Sequence, residues 1–368
     1  MSELTDTEMR DWLALHLVPG LGPRLTTALL ERFGSAAAIL QARTEQLQEV
    51  PHIGDKLAHQ LHHAMQRIDV EGELDLLAKH KTSIRLLGAP EYPEALAGIS
   101  DPPQLLYVCG SLLPQDAKAI ALVGSRSCTA YGKRVADRLA RGLVQAGYTV
   151  ISGLARGIDG VAHRGALEAG GRTIGVLAGG LARIYPPEHT ELAQEVAQSG
   201  ALLSESGMRM EPMAGMFPAR NRIISGLSRA VVIIEAAERS GALITATHAA
   251  EQGRPVMAVP GPVDGLASGG TNALIRKGAV LVRGVEDILE EVEGVSRKTS
   301  TPSQAASVPS GMDSLQTRIW EALADGPCPL DLLVPKLGIP LAQLTGPLFA
   351  LELKKAVRRL TGNRYERW

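Results

Sequence analysis

The chain has 368 residues, 45% hydrophobic and only 3% aromatic, with a formal net charge of −1. That length predicts two or three domains and a sizeable buried core. A charge near zero excludes a global basic field, so any nucleic-acid site has to be a local patch. Cys109, Cys128 and Cys328 are odd in number and lack C-x-x-C spacing. This argues against a disulfide framework or a zinc site and fits a reducing, cytoplasmic setting. The N-terminus shows no basic-then-apolar leader and no apolar run reaches membrane-spanning length, so no membrane partner is expected.

Residues 1–85 read helical throughout, with Leu and Ala at three- and four-residue spacing. Val18-Pro19-Gly20-Leu21-Gly22 and Val50-Pro51-His52-Ile53-Gly54 form an internal repeat. It resembles two helix-hairpin-helix units, whose Gly-apolar-Gly turn presents backbone N–H groups to a DNA phosphate. The second copy has His52 where the first has Gly20. The block carries more carboxylates than cations, which favours packing or protein contact over duplex binding. His59, His62 and His63 share one helix without a carboxylate or Cys at ligand spacing, so they read as a solvated face and not a metal site.

Residues 86–294 alternate strands with helix-length segments, as a doubly wound parallel sheet requires. Ligands of such sheets sit beyond the carboxyl ends of the strands. The buried run 119–123 leads there into Gly124-Ser125-Arg126. Segment 148–151 leads into Ser152-Gly153-Leu154-Ala155-Arg156-Gly157-Ile158-Asp159, and 173–177 into Ala178-Gly179-Gly180. Segment 231–234 leads into Glu235 and then Ser240-Gly241-Ala242-Leu243-Ile244-Thr245. Segment 255–259 leads into Pro260-Gly261 and then Gly269-Gly270-Thr271-Asn272. Glycines and small hydroxyl residues at these ends leave N–H groups open to anions. Phe217-Pro218-Ala219-Arg220-Asn221-Arg222 adds two guanidiniums, an amide and a ring. Guanidiniums fork onto phosphates and a ring stacks on a base. The opposing reading is a helix start whose arginines pair with acids of the same domain.

Residues 295–312 are Ser, Thr, Pro, Gln and Ala, a flexible linker by composition. Residues 313–368 fit a small winged helix, with helices at 315–323, 330–337 and 341–355. A hairpin wing follows, 357–360 and 365–368 around Thr361-Gly362-Asn363. Gly346-Pro347 is expected to interrupt the third helix, since an interior proline costs about 3 kcal/mol. Lys354, Lys355, Arg358, Arg359, Arg364 and Arg367 cluster at the end, which suits either nucleic acid or a solvated tail.

The ordered set GSR, SGxAxGID, LAGG, FPxRNRIISGLS, SGALxTA, AVPG and GxNxLI resembles the DNA-processing protein A family (DprA, also called Smf), most strongly over residues 85 to 292. The resemblance implies a Rossmann-like doubly wound parallel sheet, flanked by an N-terminal all-α helix-hairpin-helix (SAM-like) domain and a C-terminal winged helix. It implies single-stranded DNA binding, delivery of the strand to the recombinase RecA during natural transformation, and a homodimer formed through the Rossmann-like domain. A groove for single strands needs cations for phosphates and flat groups for bases. Arg126, Arg220 and Arg222 are assigned to phosphates. Gly124, Ser125, Gly153, Gly157, Gly179, Gly180 and Gly241 are assigned to close approach of phosphates to main-chain N–H groups. Asn221 and Asn272 either read a base edge or fix a loop, and Phe217 either stacks a base or plugs the core. Family members often carry extra basic residues before FPxRNR. Here residues 206–216 contribute only Arg209, with Met208, Met210, Met213 and Met216 making that loop apolar and adaptable.

No G-x-G-x-x-G follows the first strand of the sheet, and no G-x-x-x-x-G-K-[ST], G-x-S-x-G or H-E-x-x-H occurs. Asp159, Glu205, Glu235 and Asp264 read as caps or arginine partners, so no catalytic residue, cofactor or metal is expected. The enzyme alternative is a nucleotide-hydrolysing relative of the phosphoribohydrolases, which carry PGGxGTxxE. Pro260-Gly261-Pro262 and Gly269-Gly270-Thr271-Asn272 lack the Glu at that spacing, which favours binding over catalysis.

Overall fold

Short amphipathic repeats punctuated by Gly and Pro build six helices at the start of the chain. They are α1 (Asp6–His16), α2 (Pro23–Phe33), α3 (Ala36–Leu40), α4 (Thr44–Gln48), α5 (Asp55–Met65) and α6 (Val70–Lys79). The structure, a computed structural model, describes residues 5–294, 312–324, 328–354, 356–360 and 363–367. The linker expected at 295–312 (Met312 apart), Lys355 and the turn residues Thr361 and Gly362 lie outside the described residues. Two units result, Met1–Val295 and Ser296–Trp368.

The internal repeat is structural. Gly22 and Gly54 are the N-caps of α2 and α5, and the residue two before each has a positive φ, 90° at Gly20 and 70° at His52. A side chain in that left-handed region costs roughly 1–2 kcal/mol, which the second hairpin bears and the first avoids. Of the three histidines expected on a solvated face, His59 and His63 are exposed. His62 instead lies over the helical core, with Nδ1 3.2 Å from the Ala42 carbonyl.

Helix α6 runs on into β1 (Thr82–Leu86), so a domain boundary at residue 85 would cut a strand. Leu13 of α1 and Leu77 of α6 share a buried cluster with Leu86, Leu105, Tyr107 and Leu202 of the sheet. The strands that follow are β2 (Leu105–Gly110), β3 (Ala119–Val123), β4 (Thr149–Ser152), β5 (Thr173–Leu177), β6 (Ala201–Ser204), β7 (Ala230–Ile233), β8 (Val256–Ala258) and β9 (Val280–Leu281). Between them lie α7 (Glu94–Ala97), α8 (Ala130–Gln145), α9 (Ile158–Glu168), α10 (Thr190–Ser199), α11 (Met216–Gly226), α12 (Ala242–Glu251), α13 (Gly269–Arg276) and, last, α14 (Val285–Glu293). The sheet order is β1-β2-β6-β5-β4-β3-β7-β8-β9, parallel from β6 to β9 and antiparallel at β1 and β2. Both faces are covered, as a parallel sheet demands. Alternate residues of β3 split between them: Ala119, Ala121 and Val123 face α11 and α12, while Ile120 and Leu122 face α8 and α9. Strand order reverses between β3 and β7, which makes a topological switch point there.

The second unit is a winged helix. Helices α15 (Ser314–Ala322), α16 (Leu330–Leu337) and α17 (Leu341–Leu353) pack on a three-stranded sheet, order β10 (Cys328–Pro329), β12 (Arg364–Arg367), β11 (Val357–Leu360). Contrary to expectation α17 is unbroken and runs through Pro347. Leu344, Leu348 and Leu351, buried before and after the proline, hold the turns together. Much of the basic cluster is tied internally: Arg358 pairs with Glu366, and the Arg367 guanidinium lies 3.5 Å from the Trp320 ring centroid. Helix α17 itself carries no Lys or Arg and exposes Phe349 and Leu353. Among the described residues no single helix is long and apolar enough to cross a membrane.

His52→Gly should stabilise the protein by about 1 kcal/mol in chemical denaturation, by relieving the left-handed side chain. His163 on α9 has no exposure and its Nδ1 lies 2.7 Å from Thr173 Oγ1. Burial, helped by the charges of His189, Arg220 and Arg164, pushes its imidazole down to about 3. The unfolded chain takes that proton near pH 6.5 and the fold does not, so stability present above pH 6.5 is lost as pH falls. Between pH 7 and pH 5 the loss should be about 2 kcal/mol, and His163→Gln should remove that part of the dependence.

Candidate functional site

At the switch point, beyond the ends of β3 and β7, lies an open cavity of about 630 Å³. Ser125 and Arg126 line it from the turn after β3, Phe217 and Asn221 from the start of α11, and Gly241 and Thr245 from the start of α12. That volume lies within the range of small-molecule sites. The turn after β3 is held rigidly. Ser125 N donates to the Glu235 carbonyl at 2.7 Å, its carbonyl accepts from Ile158 N at 3.2 Å, and its Oγ accepts from Ser127 N at 3.1 Å. This leaves the exposed Arg126 free to reach out. Its guanidinium carbon sits 4.7 Å from the Phe217 ring centroid, and it makes no ion pair with a described residue. A cation stacked on a half-buried ring at a cavity mouth can meet a phosphate and a base together.

The two arginines of Arg220-Asn221-Arg222 face protein, which corrects their assignment to phosphates. Arg220 is 6% exposed. Its Nη1 donates to the carbonyls of Gly153 (2.9 Å) and Val176, tying α11 to the ends of β4 and β5. Burial pushes this guanidinium down to about 10; the Asp159 carboxylate opposes the shift and the Arg126 charge adds to it. Asp159 is itself pushed up by burial, countered by Arg220 and by the N–H groups of Ala155 and Gly153. Arg220 thus forms part of the cavity floor and contributes a positive field, with Nε left unpartnered. Arg222 lies on the other side of α11, bonded to Asp101 at 3.1 Å and Glu205 at 2.8 Å. Burial draws its pKa down, and the Glu205 and Asp101 carboxylates more than reverse this, leaving it raised.

Most of the glycines expected to admit phosphates admit protein instead. A Cβ on Gly124 would stand 2.7 Å from Ile158 Cγ1, and one on Gly153 2.6 Å from the Arg220 guanidinium. At Gly157, which has φ 75°, it would meet the Ser125 carbonyl. At Gly179 and Gly180 it would strike the backbone of Met210, Gly207 and Met208. Gly241 has nothing within 4 Å of that position and is exposed at the cavity rim. Asn221 lines the cavity, its Nδ2 3.4 Å from the Gly241 carbonyl. Asn272 fixes a loop: its amide exchanges bonds of 3.1 and 3.2 Å with the Gly261 backbone, outside the cavity. Of the four carboxylates expected as caps or arginine partners, Asp159, Glu205 and Glu235 are engaged, whereas Asp264 is exposed and makes no ion pair with a described residue. Both Glu235 oxygens accept from Thr129, and Gly132 leaves room for that carboxylate.

The methionine loop is anchored to the N-terminal helices. Met208 N donates to Glu73 Oε1 at 2.7 Å and Arg209 pairs with Asp69 at 3.3 Å, while Met210 and Met213 stay exposed. Tyr185 and Arg183, which the sequence did not single out, and Arg156, named there at a strand end without a role, gather beside Phe217. Their signal was the scarcity of rings: Tyr185 stands after the LAGG turn, in a chain where each aromatic is worth placing.

The profile of the DNA recombination-mediator protein A family matches residues 83–293. The DprA winged helix domain matches residues 300–363, and a SAM-like helix-hairpin-helix tandem matches residues 13–67. Protein Smf of Synechocystis sp. is 31% identical over 99% of this chain and 100% of its own length. The X-ray structure of DNA processing protein A from Streptococcus pneumoniae superposes with a TM-score of 0.66 at 32% identity, covering 79% of this chain and 99% of that one. A structure of DNA processing protein A from Helicobacter pylori, described for its single-stranded DNA binding mode, superposes with a TM-score of 0.53 at 32% identity, covering 58% and 96%.

The division of labour between the arginines is testable by denaturation. Arg220→Ala leaves Asp159 buried without its compensating charge and should cost about 3 kcal/mol. Arg126→Ala, on the surface, should stay within about 0.5 kcal/mol of the parent.

Proposed function

The chain belongs to the DNA recombination-mediator protein A (DprA/Smf) family, and from that premise we propose that it binds single-stranded DNA across the Arg126–Phe217 surface. The observation that carries this reading is the exposed guanidinium stacked on a half-buried ring at the mouth of the switch-point cavity. A single strand offers bases to the ring and phosphates to the guanidinium; a duplex hides its base faces in the stack. The net charge of −1 supports the same preference, because no broad basic face is available to hold a duplex. The reading extends to what the family resemblance implies: action in the cytoplasm, a homodimer through the Rossmann-like sheet, and delivery of the strand to RecA during natural transformation. We read the protein as a binder and not an enzyme, since Asp159 and Glu235 are occupied with backbone and hydroxyl partners.

Fluorescence anisotropy at physiological salt should show a labelled single strand bound much more tightly than a blunt duplex of the same length. Equal affinities would contradict the reading. Arg126→Ala should also make the slope of log affinity against log salt shallower by about 0.7, the loss of one phosphate contact.

A further inference from the structure

Resting on the strand-binding reading above, we propose that the exposed face of Tyr185, flanked by Arg156 and Arg183, is a second nucleobase subsite next to Phe217. Four flat groups from four separate segments lie in a row beyond the ends of the parallel strands, two rings between two guanidiniums. Arg126 follows β3, Arg156 follows β4, Tyr185 follows β5 and Phe217 opens α11. Arg126 lies 4.7 Å from the Phe217 centroid, the Phe217 and Tyr185 centroids are 5.9 Å apart, and Arg156 lies 5.7 Å from the Tyr185 centroid. Tyr185 is 40% exposed, as is Tyr131 at 38%, whose hydroxyl donates to the Pro260 carbonyl away from these groups, whereas Tyr92, Tyr107, Tyr148 and Tyr365 are buried. The cleft between these groups measures only about 20 Å³, room for a single water, so a base has to lie on the open ring face and not inside.

The angle between the rings sets what can bind. Phe217 and Tyr185 are inclined at 62°. Two bases laid on them cannot stay stacked on each other, so the pair fits neighbouring nucleotides of an unstacked strand. Arg156 is held over its ring by a two-point pair with Glu188, at 2.5 and 3.0 Å, which partly neutralises it. Arg183 lines the same cleft, is exposed and makes no ion pair with a described residue, so it is the cation placed for the adjoining phosphate.

The test uses the full chain and oligothymidylate with one 2-aminopurine moved along it, read by anisotropy and by quenching of the 2-aminopurine. Tyr185→Ala should weaken binding about tenfold. It should also restore 2-aminopurine emission at one position while a neighbouring position stays quenched. Tyr185→Phe should keep both affinity and quenching; Tyr185→Leu, which fills the volume without a π face, should behave as Tyr185→Ala. If Tyr185→Ala and Tyr185→Leu, folded by circular dichroism, bind and quench as the parent does, the second subsite is wrong and strand binding stands. If the parent binds no strand, both readings fall.

Discussion

A buried guanidinium organises this site. Arg220 reaches under the sheet ends, donates to the Gly153 and Val176 carbonyls and sits near Asp159. Those carbonyls end β4 and nearly end β5, so one side chain fixes where α11 begins. With α11 fixed, Phe217 and Asn221, one turn apart on the helix face that carries Arg220, line the cavity whose floor Arg220 forms. Removing one partner from a buried charged group is far costlier than losing a surface pair. The same geometry explains why residue 153 has to be glycine: a Cβ would stand 2.6 Å from Arg220 and 2.7 Å from Asp159.

Around this anchor, cations and rings are brought together. The chain is almost neutral, yet Arg126 and Arg183 stand without ion pairs to described residues beyond the carboxyl ends of the central strands. Arg220 adds its field from the floor. The rings of Phe217 and Tyr185 supply flat apolar area beside these cations. The apolar loop over Gly179 and Gly180 is pinned by Glu73 and Asp69, which ties the N-terminal helices to the rim of the site. The N-terminal helices keep a core of their own, and Leu13 and Leu77 join them to the antiparallel edge of the sheet within one unit.

Much of this was legible in the sequence for definite physical reasons. The run 119–123 has no polar residue, so it had to be a strand buried on both faces, and Gly124-Ser125-Arg126 then fell at its ligand-facing end. The winged helix followed from its periodicity and its turn. The inward turn of Arg220 and Arg222 was not legible, because their partners Gly153, Val176, Asp101 and Glu205 are distant or unremarkable in sequence. Glycines at strand ends look alike whether they admit a ligand or another backbone, and only the fold separates Gly241 from Gly180. Pro347 was misread as a break because local cost was weighed without the packing of Leu344 and Leu348. Tyr185 was missed because its meaning lies in Phe217, brought beside it by the fold.

On the reading proposed above, a single strand lies on the Arg126–Phe217 surface, anchored by Arg220. The most direct measurement is photo-cross-linking of the full chain to a single strand carrying 5-bromodeoxyuridine, followed by identification of the modified peptides. The account predicts cross-links in the peptide containing Phe217. Cross-links confined to the winged helix, between Ser314 and Arg367, would contradict it.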